Sequence, residues 1–299
     1  MAKKKTTTTK KKTAPKKEGT SLISENTTIK ITLPAKEVTA AYEKTLVALA
    51  KNITAEGFRK GKVPAKVAEE KIGRERIIQE ALNQLLPGAY QKALTESKKN
   101  PITQPEFSLV EAEMGKDWVI EARFAEVPTV KLGSYQKHVK EGLKAANTEL
   151  KKKENKEMKE EQQKEVRLQH VFRELVTQIK PQVPEMLLKH ETQHEFEHMS
   201  SQIKQLGMSV DDYLEKRQMN MEQLSQELAV NTLSRLQLDL ILGAIAKEQK
   251  LTVTDKDKEK FFKTIPDEKQ REQLSKDQHY LGHLETNLMK QKVVDYLLA

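Results

Sequence analysis

The chain contains no cysteine and few aromatic residues. Of its 299 residues, none is cysteine and 5% are aromatic. The first absence excludes disulfides, thiol catalysis and zinc sites built on cysteine. The second argues against a compact pocket lined by aromatic rings. No stretch approaches 18 consecutive apolar residues, which predicts that no helix crosses a membrane. The first residues also lack the apolar core of a secretory signal, so we expect a cytoplasmic protein.

Positive charge is concentrated at one end of the chain. The formal net charge is +9, and residues 1–17 hold eight lysines and no acidic residue, so that the remainder carries +1. This distribution fits a basic tethering arm better than a basic binding domain. Residues 1–21 are of low complexity and predict a disordered tail. Two roles stay open for it: a solubilising tail, or an arm that contacts RNA phosphates.

Apolar periodicity predicts a small α+β domain over residues 22–130. Alternation with period two over residues 28–33, 107–110 and 118–125 predicts three strands, with a turn at 115–117 between the last two. Helical periodicity predicts one helix over 35–51 and further helices over 64–99. A loop at 55–63 joins them.

The remaining residues, 131–299, predict helices only. Residues 144–165 are almost wholly charged or polar, and no glycine or proline stands between Gly142 and Pro181. We expect one long linker helix there, whose polar first half projects as an arm because it cannot join a core. Apolar stripes predict further helices around 196–206, 210–214, 221–249 and 281–298. Ser209 and Thr254 are suited to N-cap positions.

The most informative segment is GFRKGKVP, which we call the basic loop. It consists of Gly57, Phe58, Arg59, Lys60, Gly61, Lys62, Val63 and Pro64. Its glycines permit left-handed backbone, and Pro64 suits the first position of a helix. One aromatic ring among three cations is typical of a docking tip, in which the ring is an apolar anchor and the cations pair with acidic groups or phosphates. The alternative is an ordinary basic turn with Phe58 folded into the core.

The glycines of this segment do not have the spacing of a phosphate-binding loop. That motif needs four residues between its glycines and a Ser or Thr after the Lys. Here three residues separate Gly57 from Gly61, and Val63 follows Lys62. No other Gly-Lys pair fits either, so the sequence predicts no nucleotide cofactor.

The basic loop resembles the ribosome-docking signature of the trigger factor family of bacterial chaperones. The resemblance includes TIKITLPAKEVTAAYEKTLVALAK before the loop, and the helices and strands after it. In the second half it includes VPEMLLKHETQHEFEHMSSQIKQLGMSVDDYL and the closing VVDYLL. It covers nearly the whole chain after residue 22. It implies that Phe58, Arg59 and Lys60 contact ribosomal protein and RNA beside the exit tunnel, and that the chain binds unfolded and nascent polypeptides.

One part of the family pattern is missing. In that pattern an FKBP-type prolyl-isomerase domain of roughly a hundred residues lies between the two halves. Here the charged segment follows almost directly after Tyr135, and Phe172 is the only aromatic residue between Gln136 and Lys180. An isomerase pocket needs an apolar cavity with aromatic walls. We therefore expect that the chain is not an enzyme and has no isomerase activity.

A competing motif is His190-Glu191-Thr192-Gln193-His194, followed one turn later by His198; we call residues 190–198 the histidine segment. In zinc peptidases the H-E-x-x-H spacing places two ligands and a general base on one helix face. The extended metzincin pattern fails, because Glu197 and Ser200 stand where glycine and histidine are needed. Adventitious metal binding and an ordinary solvated helix face stay open, with the solvated face favoured here and for His279 and His283.

Methionines of the helical half are candidates for an adaptable surface that binds varied partners. They are Met186, Met199, Met208, Met219, Met221 and Met289. Core packing is the alternative role for each of them.

These observations predict an α+β N-terminal ribosome-docking domain followed by an elongated all-α C-terminal chaperone domain. The predicted function is that of an ATP-independent molecular chaperone that docks at the ribosomal exit tunnel and shields nascent chains from aggregation. We expect no cofactor, no metal and no membrane partner. The alternatives are a non-enzymatic ribosome or rRNA assembly factor that uses the lysine-rich tail and, more remotely, a zinc peptidase.

Overall fold

The computed structural model describes residues 21–54, 57–113, 115–152 and 158–299. The predicted tail therefore lies outside the described residues, except for Ser21. The first half contains β1 (Ile23–Ser24), β2 (Thr27–Leu33), α1 (Ala35–Ala50), α2 (Ala65–Ile72), α3 (Arg74–Ser97), β3 (Glu106–Glu111) and β4 (Trp118–Phe124). The second half contains α4 (Tyr135–Leu150), α5 (Glu160–Ile179), β5 (Val183–Pro184), α6 (Glu185–Gln205), α7 (Val210–Lys216), α8 (Met221–Glu248), α9 (Asp255–Lys263), α10 (Glu268–Lys276) and α11 (Gln278–Leu298).

Three of the strands form an antiparallel sheet in the order β2-β4-β3. Its central strand, β4, buries alternate residues, and Trp118 and Phe124 are fully buried. The register pairs Leu33 with Trp118, and the apolar face of the sheet packs against α3. The three predicted strands and the helices at 35–51 and 64–99 are confirmed, because alternation along a half-buried sheet and apolar stripes on helices give distinct patterns.

A second cluster of buried residues joins α1, α2 and α3. Tyr42 and Leu46 of α1 contact Ala68 of α2 and Ile77 of α3, and Val63 from the connecting loop completes the cluster. The basic loop is thus connected to a packed three-helix corner.

The expected single helix across residues 144–179 is wrong. The chain forms α4 and α5 instead, and these two helices pack on each other as a helical hairpin. Each helix carries its own apolar stripe, and Val139 of α4 and Val171 and Leu175 of α5 lie in one core cluster. A straight helix would leave both stripes uncovered, whereas a reversal lets them bury each other. The described residues of this segment therefore belong to two packed helices, and Val171 and Leu175 of α5 join the core.

The helical half has one main core. Leu132 and Tyr135 meet Ile241 and Ile245 of α8 there, and Val293 and Leu297 of α11 close it. Among the described residues, α8 is the one helix whose length and composition would allow it to cross a membrane. Its residues Ile241 and Ile245 are fully buried against the other helices, as is typical of a core helix.

A short parallel β-ladder links the two halves. Ile23 and Ser24 of β1 pair with Val183 and Pro184 of β5, over 150 residues away in the sequence. The Asn26 side-chain oxygen accepts a hydrogen bond of 2.8 Å from the backbone N–H of Met186 in the first turn of α6. This contact supplies the cap that Pro184 cannot provide. The second half is therefore helical except for β5, and the N-terminal segment positions its helix α6.

Candidate functional site

The backbone of the basic loop adopts the left-handed conformation at both glycines. The φ angles are +82° at Gly57 and +78° at Gly61, values that glycine adopts without strain. The Lys62 N–H donates to the Arg59 carbonyl at 2.9 Å, and the Gly61 N–H donates to the Ile53 carbonyl at 3.4 Å. A Cβ at Gly61 would lie 3.3 Å from the carbonyl oxygen of Lys51. Glycine at this position therefore lets the loop close tightly on the end of α1.

The side chains of the basic loop divide into an anchor and an exposed tip. Val63 is buried in the three-helix cluster, whereas Phe58 is 41% exposed. Arg59, Lys60 and Lys62 are exposed, and they form no ion pair with a carboxylate of the part of the chain that the structure describes. The alternative in which Phe58 folds into the core is wrong. Pro64 is the N-cap of α2, one position before the predicted one.

Polar side chains of α1, α2 and α3 form a hydrogen-bond network beside the loop. The Tyr42 hydroxyl donates to Glu69 at 3.0 Å, and Arg74 Nε donates to the same carboxylate at 2.8 Å. These two hydrogen bonds hold the pKa of Glu69 below its ordinary value, and burial together with Glu69 raises the pKa of Tyr42. Lys71 of α2 donates to the carbonyl of Thr54, next to the loop. The network therefore joins α1, α2 and the start of α3, the elements that flank the loop.

The histidine segment lies on α6, as predicted, but its central acid is already paired. Arg235 of α8 lies 2.8 Å from a Glu191 oxygen and 3.1 Å from a Glu195 oxygen. Although burial opposes its charge, the hydrogen bond to Glu191 and the neighbouring carboxylates raise the pKa of Arg235. His194 and His198 are exposed. Because a general base must be free to take a proton, this ion pair argues against the peptidase interpretation.

In the described part of the chain, three open grooves run along α8, and two of them lie between α8 and another helix. One, of about 480 Å³, lies between α6 and α8 and has apolar walls that include Leu188, Phe196 and Leu228, with Met221 at one side. The other, of about 600 Å³, lies between α8 and α11. Its apolar lining residues are Leu242, Gly243, Gly282, Met289 and Val293. These grooves are concave apolar surfaces of the kind that accept apolar side chains of a partner.

The methionines do not form one exposed surface. Met186 is buried at the start of α6, and its candidacy as a partner-binding residue is wrong. Met221 is 46% exposed, while Met199, Met208, Met219 and Met289 are partly buried. Sequence reasoning missed the most exposed large apolar side chain of this half, Leu206 at 74%, as a surface residue, because it continues the apolar stripe of α6.

The geometry defines a binding protein with two different surfaces. The α+β half presents an exposed aromatic ring and cations on an anchored loop, and the helical half presents apolar grooves. In comparisons with known families, the model described as "Bacterial trigger factor protein (TF)" matches residues 16–162. The model described as "Bacterial trigger factor protein (TF) C-terminus" matches residues 142–299. The chain therefore belongs to the trigger factor family.

Individual relatives are similar over part of the chain. The trigger factor of Staphylococcus epidermidis is 40% identical over 121 residues, which are 40% of this chain and 27% of that protein. The trigger factor of Staphylococcus aureus strain Newman is 41% identical over 108 residues, which are 36% of this chain and 25% of that protein. The matched part of this chain thus spans about a quarter of the length of these curated relatives.

A solved structure has the same fold. It is described by the words "Promiscuous Substrate Recognition in Folding and Assembly Activities of the Trigger Factor Chaperone". Its TM-score is 0.58 at 14% identity, over 92% of this chain and 97% of that one. The two family matches overlap at residues 142–162, so no unmatched stretch lies between them. The FKBP-type domain expected at this point of the family pattern is missing here.

Proposed function

We propose that this chain is an ATP-independent molecular chaperone that docks on the ribosome through the basic loop. The observation that carries the proposal is the exposed ring of Phe58 beside Arg59 and Lys60, on a loop that Gly61 and Val63 hold against α1 and the three-helix cluster. A ring that loses water on binding supplies affinity, and flanking cations pair with phosphates or carboxylates. Membership of the trigger factor family supports this choice of partner.

The docking surface is preorganised. Val63 holds one end of the loop in the core, and Gly61 closes it against Lys51. Docking therefore orders few additional groups, which reduces its entropic cost. The cations have no carboxylate partner among the described residues, so no internal ion pair need be broken when they meet ribosomal RNA or protein.

The helical half is the proposed client-binding part. Its grooves along α8 and exposed side chains such as Met221 and Leu206 offer separate, weak apolar contacts to unfolded and nascent chains. Clients held by such contacts are released by simple dissociation, without an ATP-driven step. We place the docking domain at 22–130, the chaperone domain at 131–299, and the protein in the cytoplasm.

We further propose that the chain lacks prolyl-isomerase activity. The connection between α4 and α5 spans only residues 151–159, far too few for an aromatic-lined pocket. In an assay of cis/trans isomerisation with a proline peptide, the rate is expected to equal the uncatalysed rate, with relaxation over tens to hundreds of seconds at about 25 °C. Faster relaxation that persists through further purification would contradict this proposal.

Ribosome pelleting tests the docking proposal. Replacing Phe58, Arg59 and Lys60 together by Ala is expected to weaken pelleting at least ~tenfold, or about 1.4 kcal/mol, without changing the circular dichroism spectrum. A matched control replaces Lys36, Lys44 and Val47 of α1 by Ala. All three are exposed, and the control removes the same two charges and one apolar side chain. Equal pelleting of the two triple variants would overturn the assignment.

A second assay separates the chaperone from its rivals. The full chain is expected to suppress aggregation of a diluted unfolded client equally with and without ATP or a chelator. The loop variant should keep this protection, whereas Met221→Glu, which puts a charge beside the α6–α8 groove, should weaken it. Protection that disappears with the chelator would favour a working metal site. Failure to protect several unrelated clients would favour the assembly-factor alternative.

A further inference from the structure

The base of the α4–α5 hairpin brings together three side chains of the type that bind metals. They are His138 and Glu141, one turn apart on α4, and Glu174 on α5. One potential ligand atom from each residue lies within 4.8 Å of those of the other two. His138 Nδ1 is 3.6 Å from a Glu141 oxygen. The histidine segment on α6 does not form such a cluster among the described residues. From this juxtaposition we infer a binding site for a divalent first-row transition-metal ion.

The backbone holds the three residues in place. At Gly142, next to Glu141, an added Cβ would lie 2.7 Å from the Cα of Val171. The two helices therefore cross in direct backbone contact, one turn before Glu174 on α5. A larger residue at position 142 would force the helices apart and separate the carboxylates. Val139 and Val171 bury this crossing in the main core, so the donor groups are carried by rigid elements.

The hydrogen bonding of the individual ligand atoms also favours a bound metal ion. The Nδ1 atom of His138 is buried and has no hydrogen-bond partner in the described structure, although buried polar atoms are normally satisfied. Gln178 donates a hydrogen bond of 2.9 Å to the Glu174 oxygen Oε1, much as outer-shell partners orient metal ligands. Lys137 Nζ lies 3.9 Å from Glu141 Oε1. It belongs to the exposed surface and leaves the cluster with acidic character.

The donor set selects the class of ion. One imidazole nitrogen and two carboxylate oxygens suit Zn²⁺ or Co²⁺, whereas Mg²⁺ and Ca²⁺ prefer oxygen ligands alone. A tetrahedral Zn²⁺ with ligands at roughly 2.0–2.2 Å would draw the donor atoms to about 3.4 Å from one another, with water as the fourth ligand. Side-chain rotations supply this contraction. The bound ion would clamp the start of α4 to the end of α5, at the end of the hairpin opposite the 151–159 connection.

Zinc titration of the full chain tests the site. With a chromophoric chelator as competitor, the wild type is expected to hold one more equivalent of Zn²⁺ than His138→Asn or Glu174→Gln, or to bind it at least ~tenfold more tightly. His170→Asn is the matched control, because His170 pairs with Glu149 at 2.7 Å in the same hairpin but lies outside the cluster. It should bind zinc like the wild type.

Cobalt absorption and thermal unfolding test the same metal site independently of the zinc titration. Co²⁺ bound to the wild type should give the visible absorption of a four-coordinate site, and Glu174→Gln should lose it. Zn²⁺ should also raise the melting temperature of the wild type more than that of either variant, since a ligand specific for the folded state stabilises it. Equal zinc binding by all four proteins, loss of binding only in His190→Asn/His194→Asn, or no binding at all would each overturn the inference.

Discussion

The basic loop and the histidine segment both match short functional signatures, yet their side chains are in opposite states. In the loop, the cations are exposed and pair with no carboxylate among the described residues, and Phe58 is exposed beside them. In the histidine segment, the acid that a peptidase would need is held by Arg235 at 2.8 Å. A short motif therefore supports a function only where the neighbouring side chains leave its functional groups free to contact a partner or substrate.

The largest effect is expected from disturbing the backbone of the loop. Gly61→Val places a branched side chain at φ +78° and pushes its Cβ towards the Lys51 carbonyl, so it should destabilise the fold by about 1–2 kcal/mol. Ribosome affinity should also fall several-fold. Urea unfolding and pelleting measure the two effects.

The control for this change is Gly88→Ala. Gly88 lies inside α3, and a Cβ there meets nothing within 4 Å. It should leave pelleting unchanged and stabilise the fold by about 0.5–1 kcal/mol. If Gly61→Val binds ribosomes like the wild type, the loop backbone has no part in docking.

A somewhat smaller effect is expected from the tail, which tests whether the loop acts alone. Deletion of residues 1–17 removes eight lysines. If they contact RNA, ribosome affinity falls and the plot of log affinity against log salt becomes shallower by about 0.7–0.9 for each lost phosphate contact. Pelleting across a salt series measures this. An identical slope would make the tail a solubiliser only.

The histidine segment provides a third test. Arg235→Met leaves Glu191 and Glu195 without their shared partner, and should cost about 1 kcal/mol in urea unfolding, since the groups are only partly exposed. Arg217→Met, which removes a longer ion pair to Glu227 at 3.4 Å, should cost less. Neither variant should degrade casein. Peptidase activity gained by Arg235→Met would show that the segment is a masked active site.

The smallest effect on stability is expected from the hydrogen bonds that Tyr42 and Arg74 donate to Glu69. Hydrogen bonds from Arg74 and Tyr42 keep the pKa of Glu69 below its ordinary value, so its contribution to stability is present above that value and is lost as the pH falls through the folded-state pKa. Glu69→Gln should therefore be slightly less stable than the wild type at pH 7 and indistinguishable at low pH. Urea midpoints at both pH values decide this. An equal difference at both would exclude the ionic origin.

The sequence predicted correctly those structural features that depend on residues close together along the chain. The alternation around Trp118 and Ile31 identified the strands, and the glycines of GFRKGKVP identified a loop with left-handed backbone. Ser209 caps α7 as expected, accepting from the Asp212 N–H at 3.1 Å. In each case the relevant partners stand within a few residues along the chain, so the sequence contains the information directly.

Features that depend on distant partners escaped prediction. The hairpin turn after Leu150 contains neither glycine nor proline, so nothing in the sequence marks the reversal. Nothing in the sequence indicated that Gly142 of α4 lies against the backbone of Val171 in α5. The pairing of Ile23 with Val183 and the pairing of Glu191 with Arg235 join residues that no periodicity connects. The sequence likewise did not show that the cations of the basic loop are exposed and have no carboxylate partner among the described residues.

Site-specific crosslinking tests the central claim most directly. A photoreactive residue placed at position 58 is compared with one at position 47 of α1, where Val47 is even more exposed, at 56% against 41% for Phe58. With purified ribosomes, position 58 is expected to crosslink to ribosomal protein or RNA, and position 47 is not. Equal crosslinking from both positions, or crosslinking from position 47 alone, would contradict docking through the basic loop.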